Sequence, residues 1–297
     1  MPTADEFFSP WESAKGVVSN WATALEQVNS VIEFAGPDRK LAWRGLADSS
    51  YALHSSLYRA LLARTGHVSE ADLVAFEQRL LNVSRTTWRF DNLGALELFA
   101  QLQHFGAPTR MLDVTFNPLV ALWFAVEESF SPDGKSKPDK DGRLVAFDVT
   151  DSQVDLDETW GGRALPWERE PSGWRSELPR VWRPPSYNER IPAQDSAFLL
   201  GGVPAAVQRW YRKAPGDSTK NELWPIESVR EITSVPIRIY SLDRERPYRK
   251  SKPTVTVRIP SAAKPAIRAM LERSFGLTAA TIYPDLYGLA RHGASRA

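Results

Sequence analysis

The segment Gln101-Leu-Gln-His-Phe-Gly-Ala-Pro-Thr-Arg-Met-Leu-Asp-Val-Thr-Phe-Asn-Pro-Leu-Val-Ala-Leu-Trp-Phe-Ala125 decides how the rest of the chain is read. Its first half, His104 to Thr115, sets an imidazole, a guanidinium, a carboxylate and two hydroxyls in one short run. Its second half, Leu119 to Val126, is almost wholly apolar, and a helix apolar on nearly every side belongs inside a protein. Pro118 suits the first helical position because it has no N–H to leave unpaired, and Asn117 or Thr115 can cap the amides beside it. A polar, charged segment is thus delivered onto the N-terminus of a buried helix. The partial positive charge and free N–H groups of that end suit a phosphate or a carboxylate. Asp113 and Arg110 either pair with each other for structure or line a ligand cleft, with His104 and Asn117 beside them.

Working outward, Trp43-Arg44-Gly45 places an arginine in a short, mostly apolar strand. Such an arginine needs an anion or a carboxylate, and the glycine after it permits close approach to the backbone. Arg44 either pairs with Asp113 or clamps a diphosphate with its planar guanidinium. Gln194 and Ser196 stand at the start of a later strand, where they bond a ligand or the backbone. Asp285, in Tyr283-Pro-Asp-Leu-Tyr-Gly288, holds the N-cap position of a final helix. It is also the last acidic residue of the chain and so the C-terminal candidate for a chemical carboxylate.

The 297 residues allow one large domain or two of ordinary size. A net charge of +1 argues against a dedicated nucleic-acid binder but leaves room for a local basic patch. The absence of cysteine excludes disulfides, a thiolate nucleophile and cysteine-ligated metal. It is compatible with a reducing compartment, and we expect a cytoplasmic protein. The start of the chain lacks the pattern of a secretory signal, and no stretch approaches the ~20 apolar residues of a membrane span. His54, His67, His104 and His292 show no metal-ligand spacing, so no metal is expected. There is no phosphate loop, dinucleotide fingerprint or Gly-x-Ser-x-Gly elbow. The basic stretch from Arg238 to Lys252 reads as a solvated face or a strand-binding patch.

Apolar spacing predicts helices over 10–35, 55–63, 70–87 and 92–105, strands over 41–47, 143–149 and 255–259, and a turn into a strand over 190–200. Ser261 is expected to cap a helix that runs to Phe275 and stops at Gly276. Leu277 to Tyr283 reads as a last strand, followed by a short helix from Pro284. Polar loops or insertions fall near 129–142, 151–190 and 203–222. Helices come early and strands late, which favours an α+β fold: N-terminal helices with a mixed, mainly antiparallel sheet. Residues 1–37 form a helical extension and 38–297 a single domain.

Trp43-Arg-Gly45, Leu57-Tyr-Arg59 and the 102–125 block closely resemble the FRG domain family, named for an aromatic-Arg-Gly motif. Pro192-Ala-Gln-Asp-Ser-Ala-Phe198 and Ile282-Tyr-Pro-Asp-Leu-Tyr-Gly288 are also similar to it, so the resemblance runs over about 38–291. Departures are Trp43 for Phe or Tyr, Phe105 for Tyr, Met111 for Leu and Val114 for Trp. The last removes an aromatic from the block.

The family's members often look like parts of bacterial toxin or anti-phage systems, and its motif order is similar to that of ADP-ribosyltransferases. The resemblance thus implies an ADP-ribosyltransferase-like fold and an NAD-consuming effector with NAD as substrate and no metal. Arg44 would hold the NAD phosphate and ribose, Thr115 a ribose hydroxyl, and Asp285 or Gln194 would take the late position. Asp113 is the alternative carboxylate for stabilising the oxocarbenium ion. Gly45, His104, Arg110, Asn117, Gln194 and Ser196 complete the expected site. The expected partners are a protein or nucleic-acid target and a cognate antitoxin or defence-system protein, with no membrane. Two other readings stand beside it: a non-catalytic nucleotide sensor, and a metal-independent hydrolase acting on RNA.

Overall fold

Asn20, Ser55 and Ser69 each accept a hydrogen bond from the backbone N–H three residues on, and a helix begins at each of them. The computed structural model describes residues 3–13, 17–131, 135–157, 159–205, 211–214, 217–243 and 252–293. In chain order its elements are α1 (Ala4–Phe8), α2 (Trp21–Ala35), β1 (Leu41–Leu46), α3 (Ser56–Thr65), α4 (Glu70–Thr86), α5 (Ala95–His104), β2 (Leu112–Thr115), α6 (Pro118–Val126), β3 (Gly142–Asp148), β4 (Arg180–Trp182), α7 (Arg190–Ala193), β5 (Ser196–Leu200), β6 (Tyr211–Ala214), β7 (Asp217–Leu223), α8 (Ile226–Arg230), β8 (Thr254–Ile259), α9 (Lys264–Phe275), α10 (Ala279–Ile282) and α11 (Leu286–Gly288). The fold is α+β, as expected.

Six strands form one sheet in the order β4-β5-β2-β1-β3-β8, and every pairing in it is antiparallel. Alternate residues feed two cores, as the two-residue period of a strand requires. Ala42, Leu46, Val145 and Phe147 pack with Phe7 and Phe8 of α1. Trp43, Leu144, Ala146, Val255 and Val257 pack with α2, α6 and α9.

The approach of α6 to the sheet depends on two glycines. A Cβ on Gly45 of β1 would lie 1.9 Å from the Ala121 carbonyl oxygen and 2.5 Å from the Ala125 nitrogen. One on Gly142 of β3 would lie 2.3 Å from the Ala125 carbonyl oxygen. Real side chains do not come that close, so the helix backbone rests on a floor that only glycine provides.

The expected loop over 151–190 contains β4 and is anchored by a buried charge cluster. Arg110, 2% exposed, donates to Glu77 through Nε (2.7 Å) and Nη2 (2.6 Å) and to Glu70 through Nη1 (2.5 Å). The indole N–H groups of Trp167 and Trp174 donate to Glu77 (2.9 Å) and Glu70 (3.0 Å), and their rings stack 5.6 Å apart beside the guanidinium. Arg110 therefore pairs with α4 and not with Asp113, because two carboxylates one helical face apart enclose it.

Four local expectations are corrected. The helix expected over 10–35 begins only at Trp21, where Asn20 and Thr23 form a reciprocal cap. Leu277 to Tyr283 is not a strand, because Thr278 and Thr281 cap each other and start the single turn α10. Ser261 does not cap α9: it opens a 3₁₀ turn and donates its backbone N–H to Asp141 (2.8 Å). The polar run before α6 contains β2, which pairs fully with β5. The expected insertion at 203–222 holds the two-stranded β6–β7 sheet, with 206–210 and 215–216 outside the described residues. The stretch from Arg238 to Lys252 lies outside them over 244–251. No helix among the described residues is long and apolar enough to cross a membrane.

The first residues are tied to the far edge of the sheet. Arg143, fully buried, donates to Glu12 (2.8 Å) and Asp5 (2.8 Å), and Arg258 donates to Asp5 (2.7 Å) and Asp141 (3.0 Å).

Two measurements probe this packing. Arg110→Ala leaves two buried carboxylates without a cation and should cost about 3–5 kcal/mol in urea unfolding; a loss under about 1 kcal/mol would show the cluster to be dispensable. His54, 4% exposed, lies 2.9 Å from the Arg230 carbonyl through Nε2. Burial, aided by Arg59 and opposed by that carbonyl, pushes its pKa down to about 4. The unfolded chain, near 6.5, then takes the proton first. Stability should fall as pH drops from about 6.5 toward 4, by roughly 3 kcal/mol at most. The difference between parent and His54→Gln across that window reads the effect, and a pH-independent difference would refute it.

Candidate functional site

β1 and β2 share a single paired residue, Trp43 opposite Thr115, whereas β1 pairs with β3 along its whole length. Beyond that pair the two strands part. Arg44 reaches across the gap, and its Nη1 donates to the Asp113 carbonyl at 2.5 Å. A side chain thus supplies the donor that a continued ladder would have given. The Asp113 carboxylate lies 4.0 Å from Nη1 and is 68% exposed. The Nε of Arg44 is buried and makes no hydrogen bond. Burial pulls the Arg44 pKa down, Asp113 opposes this and Arg59 adds to it; the guanidinium stays charged all the same.

A cavity of about 290 Å³ opens at the gap. Trp43, Phe124, Phe198 and Tyr283 give it aromatic walls, and Arg44, Arg190, Asp113, Gln103, Gln194 and Ser196 give it polar groups. That volume is near the lower end for small-molecule sites, which combine apolar walls with a few convergent polar groups.

The expected residues divide between the cavity and its supports. Arg44, Gly45, His104, Asp113, Thr115, Gln194 and Ser196 line it. The hydroxyl of Thr115 donates to the Gln194 carbonyl (2.6 Å) and accepts from the Asn117 N–H (3.0 Å). Gln194 donates its amide to the Ile282 carbonyl (2.9 Å) and accepts from Ser196 (3.3 Å). Arg110 and Asn117 lie elsewhere. Asn117 caps the Leu119 N–H at 2.9 Å. The cavity meets the flank of α6, through Phe124, and not its N-terminus, because the glycine floor lays that helix across β1.

Asp285 stands behind the wall. It caps α11 through the Gly288 N–H (2.7 Å) and holds Arg190, with Nη2 at 2.7 Å from Oδ1 and Nε at 2.7 Å from Oδ2. Burial would raise its pKa, but those bonds outweigh it and hold the carboxyl below its usual range. His104 lies 3.4 Å from the same carboxylate. Burial and Arg190 push its pKa down against the pull of Asp285, which keeps the ring neutral near pH 7.

Gln103, Arg190 and Tyr283 escaped the sequence reading. Gln103 accepts from Thr109 and donates to Asp113 (2.6 Å), which tethers the exposed carboxylate. Arg190 lies 5.1 Å over the Tyr283 ring, and Tyr283 meets Phe124 edge-on at 6.1 Å. Gln103 stood inside the quoted block one position before His104, so adjacency was its only signal. Arg190 had none, since its loop carries many arginines. Among the described residues no group of three or more His, Cys, Asp or Glu is placed to hold a metal.

Gly45→Ala should force α6 off β1 and cost at least about 1–3 kcal/mol, the usual range for overpacking. A urea midpoint equal to the parent's would mean that the helix does not sit so close.

The model of the FRG domain family matches residues 39–134. That span includes Arg44, His104, Arg110, Asp113, Thr115 and Asn117; the similar pieces at 192–198 and 282–288 lie beyond it. No curated protein and no solved structure matches the chain. The segment that matches the FRG domain model, residues 39–134, supplies β1, β2, α6 and one side of the cavity.

Proposed function

We propose that the cavity binds NAD and cleaves its nicotinamide–ribose bond, in the manner of an ADP-ribosyltransferase. The observation that carries this reading is Arg44: a half-buried guanidinium with a buried, unpaired Nε, set beside an exposed carboxylate in one aromatic-walled cavity. Arg44 and Arg190 would hold the diphosphate, and Tyr283 and Phe124 would wall the planar base. As the glycosidic bond breaks, nicotinamide leaves with the bonding electron pair and the ribose becomes an oxocarbenium ion. Asp113 would stabilise that charge. A nucleophile of the target then attacks the ribose carbon and loses its proton. Asp285 is engaged by Arg190 and the α11 N-terminus, which favours Asp113 as the carboxylate. The wider setting is a cytoplasmic toxin or anti-phage effector with a protein or nucleic-acid target and a cognate partner. It rests on the family resemblance alone.

One observation favours a second reading, a sensor that holds a nucleotide unchanged. The Thr115 hydroxyl already makes two bonds to backbone, so ribose would have to displace one.

Nicotinamide release from NAD by the purified protein tests both. Release should fall on the order of 10²-fold or more in Arg44→Ala and in Asp113→Asn. NAD or ADP-ribose binding without release would support the sensor. Neither binding, release nor labelling of a lysate would remove both.

A further inference from the structure

Three pieces of chain form a rim with a hollow on each side, and successive residues line opposite sides. His104, Arg190 and Tyr283 line the cavity described above. Phe105, Glu189 and Pro284, each the direct neighbour of one of them, line a second hollow of about 490 Å³, and His104 lines both. Consecutive Cα atoms stand about 3.8 Å apart, so little more than the rim separates the two spaces. Asp285 ties the rim together: it holds Arg190 at 2.7 Å, lies 3.4 Å from His104 and follows Pro284 in the chain.

The second hollow is walled by apolar side chains that water does not compensate. Phe105, Leu286 and Leu289 line it at 82%, 83% and 63% exposure. Such side chains are ordinary when scattered singly, but three around one hollow, with Pro284 beside them, mark an interaction site. The Phe105 ring meets His104 nearly edge-on, with centroids 5.0 Å apart, and most of its surface stays open. The ionisable lining is Glu189, exposed at the edge, with Asp285 and His104 at the rim; no lysine or arginine is among the described lining residues. The hollow therefore suits a flat, uncharged group that offers hydrogen-bond donors, and not a phosphate.

The first cavity is too small for the whole of the ligand assigned to it. Sites for drug-sized molecules start at about 300 Å³, a dinucleotide exceeds that size, and the cavity holds about 290 Å³. Resting on the reading that this cavity takes NAD, we propose that only the nicotinamide half fills it and that the adenosine half crosses the rim into the second hollow. Adenine stacks on Phe105 against Leu286 and Leu289. Glu189 accepts a hydrogen bond from the exocyclic amine of the base. Arg190, on the rim, meets the diphosphate that joins the two halves.

Calorimetric titration of the full chain with AMP, IMP and nicotinamide mononucleotide tests this. AMP should bind, and Phe105→Ala, a change at an exposed ring that the fold tolerates, should weaken it about tenfold or more. IMP carries a carbonyl oxygen in place of the amine and should bind about fivefold or more weakly than AMP, a preference that Glu189→Ala should erase. No AMP binding at millimolar concentration overturns the proposal. So does equal AMP affinity in the parent and Phe105→Ala, or equal affinity of the parent for AMP and IMP. Nicotinamide mononucleotide reads the NAD assignment separately, through binding that Arg44→Ala should weaken. Its failure to bind, together with Phe105-dependent binding of AMP, would keep the purine site and remove the NAD reading.

Discussion

The contact on which the rest of the molecule depends is backbone against backbone, where α6 lies on Gly45 and Gly142. The helix is apolar on nearly every side and must be covered, and the sheet gives it a surface with no side chains to hold it off. Only Phe116 and Asn117 separate β2 from α6. Drawing the helix onto β1 therefore also fixes where β2 can end. β2 meets β1 at one residue and spends its remaining pairing on β5. The gap that results is where the cavity forms, so the site follows from how the core is packed.

Two arginines near this gap show how one residue type takes two roles. Arg110 has each of its nitrogens engaged by Glu70 or Glu77, with indole rings over its faces. At 2% exposure it is closed to a ligand, and its work is to fasten the long segment after β3. Arg44 gives one nitrogen to a backbone carbonyl and keeps another buried and unused. An unpaired buried donor costs about 1–3 kcal/mol. The two differ in how many of their donors the neighbours take up, a quantity fixed by residues far away in sequence.

That distance marks how much was legible. α6, its Asn117 cap and the proline at its first position are written in consecutive residues, and so is the stop of α9 at Gly276. β1, β3 and β8 follow from alternation. The partners of Arg110 lie 33 and 40 residues upstream, and no local pattern points to them. Arg190 and Tyr283 reach the cavity only through the folding of the last hundred residues. The Asp285 position was legible as a cap, and its second role as the counter-ion of Arg190 was not. The single turn α10 was mistaken for a strand because four residues are too few for either periodicity to declare itself.

The clasp between the first dozen residues and the last strand has a consequence for synthesis. Asp5 waits for Arg258, and β3 has an open outer edge until β8 arrives. On the ribosome nearly the whole chain must therefore emerge before that edge is closed and Asp5 gains its second arginine. Such long-range closure is slow, and meanwhile a bare strand edge stands open to wrong partners. The nascent chain should lean on chaperones well after its first helices have formed.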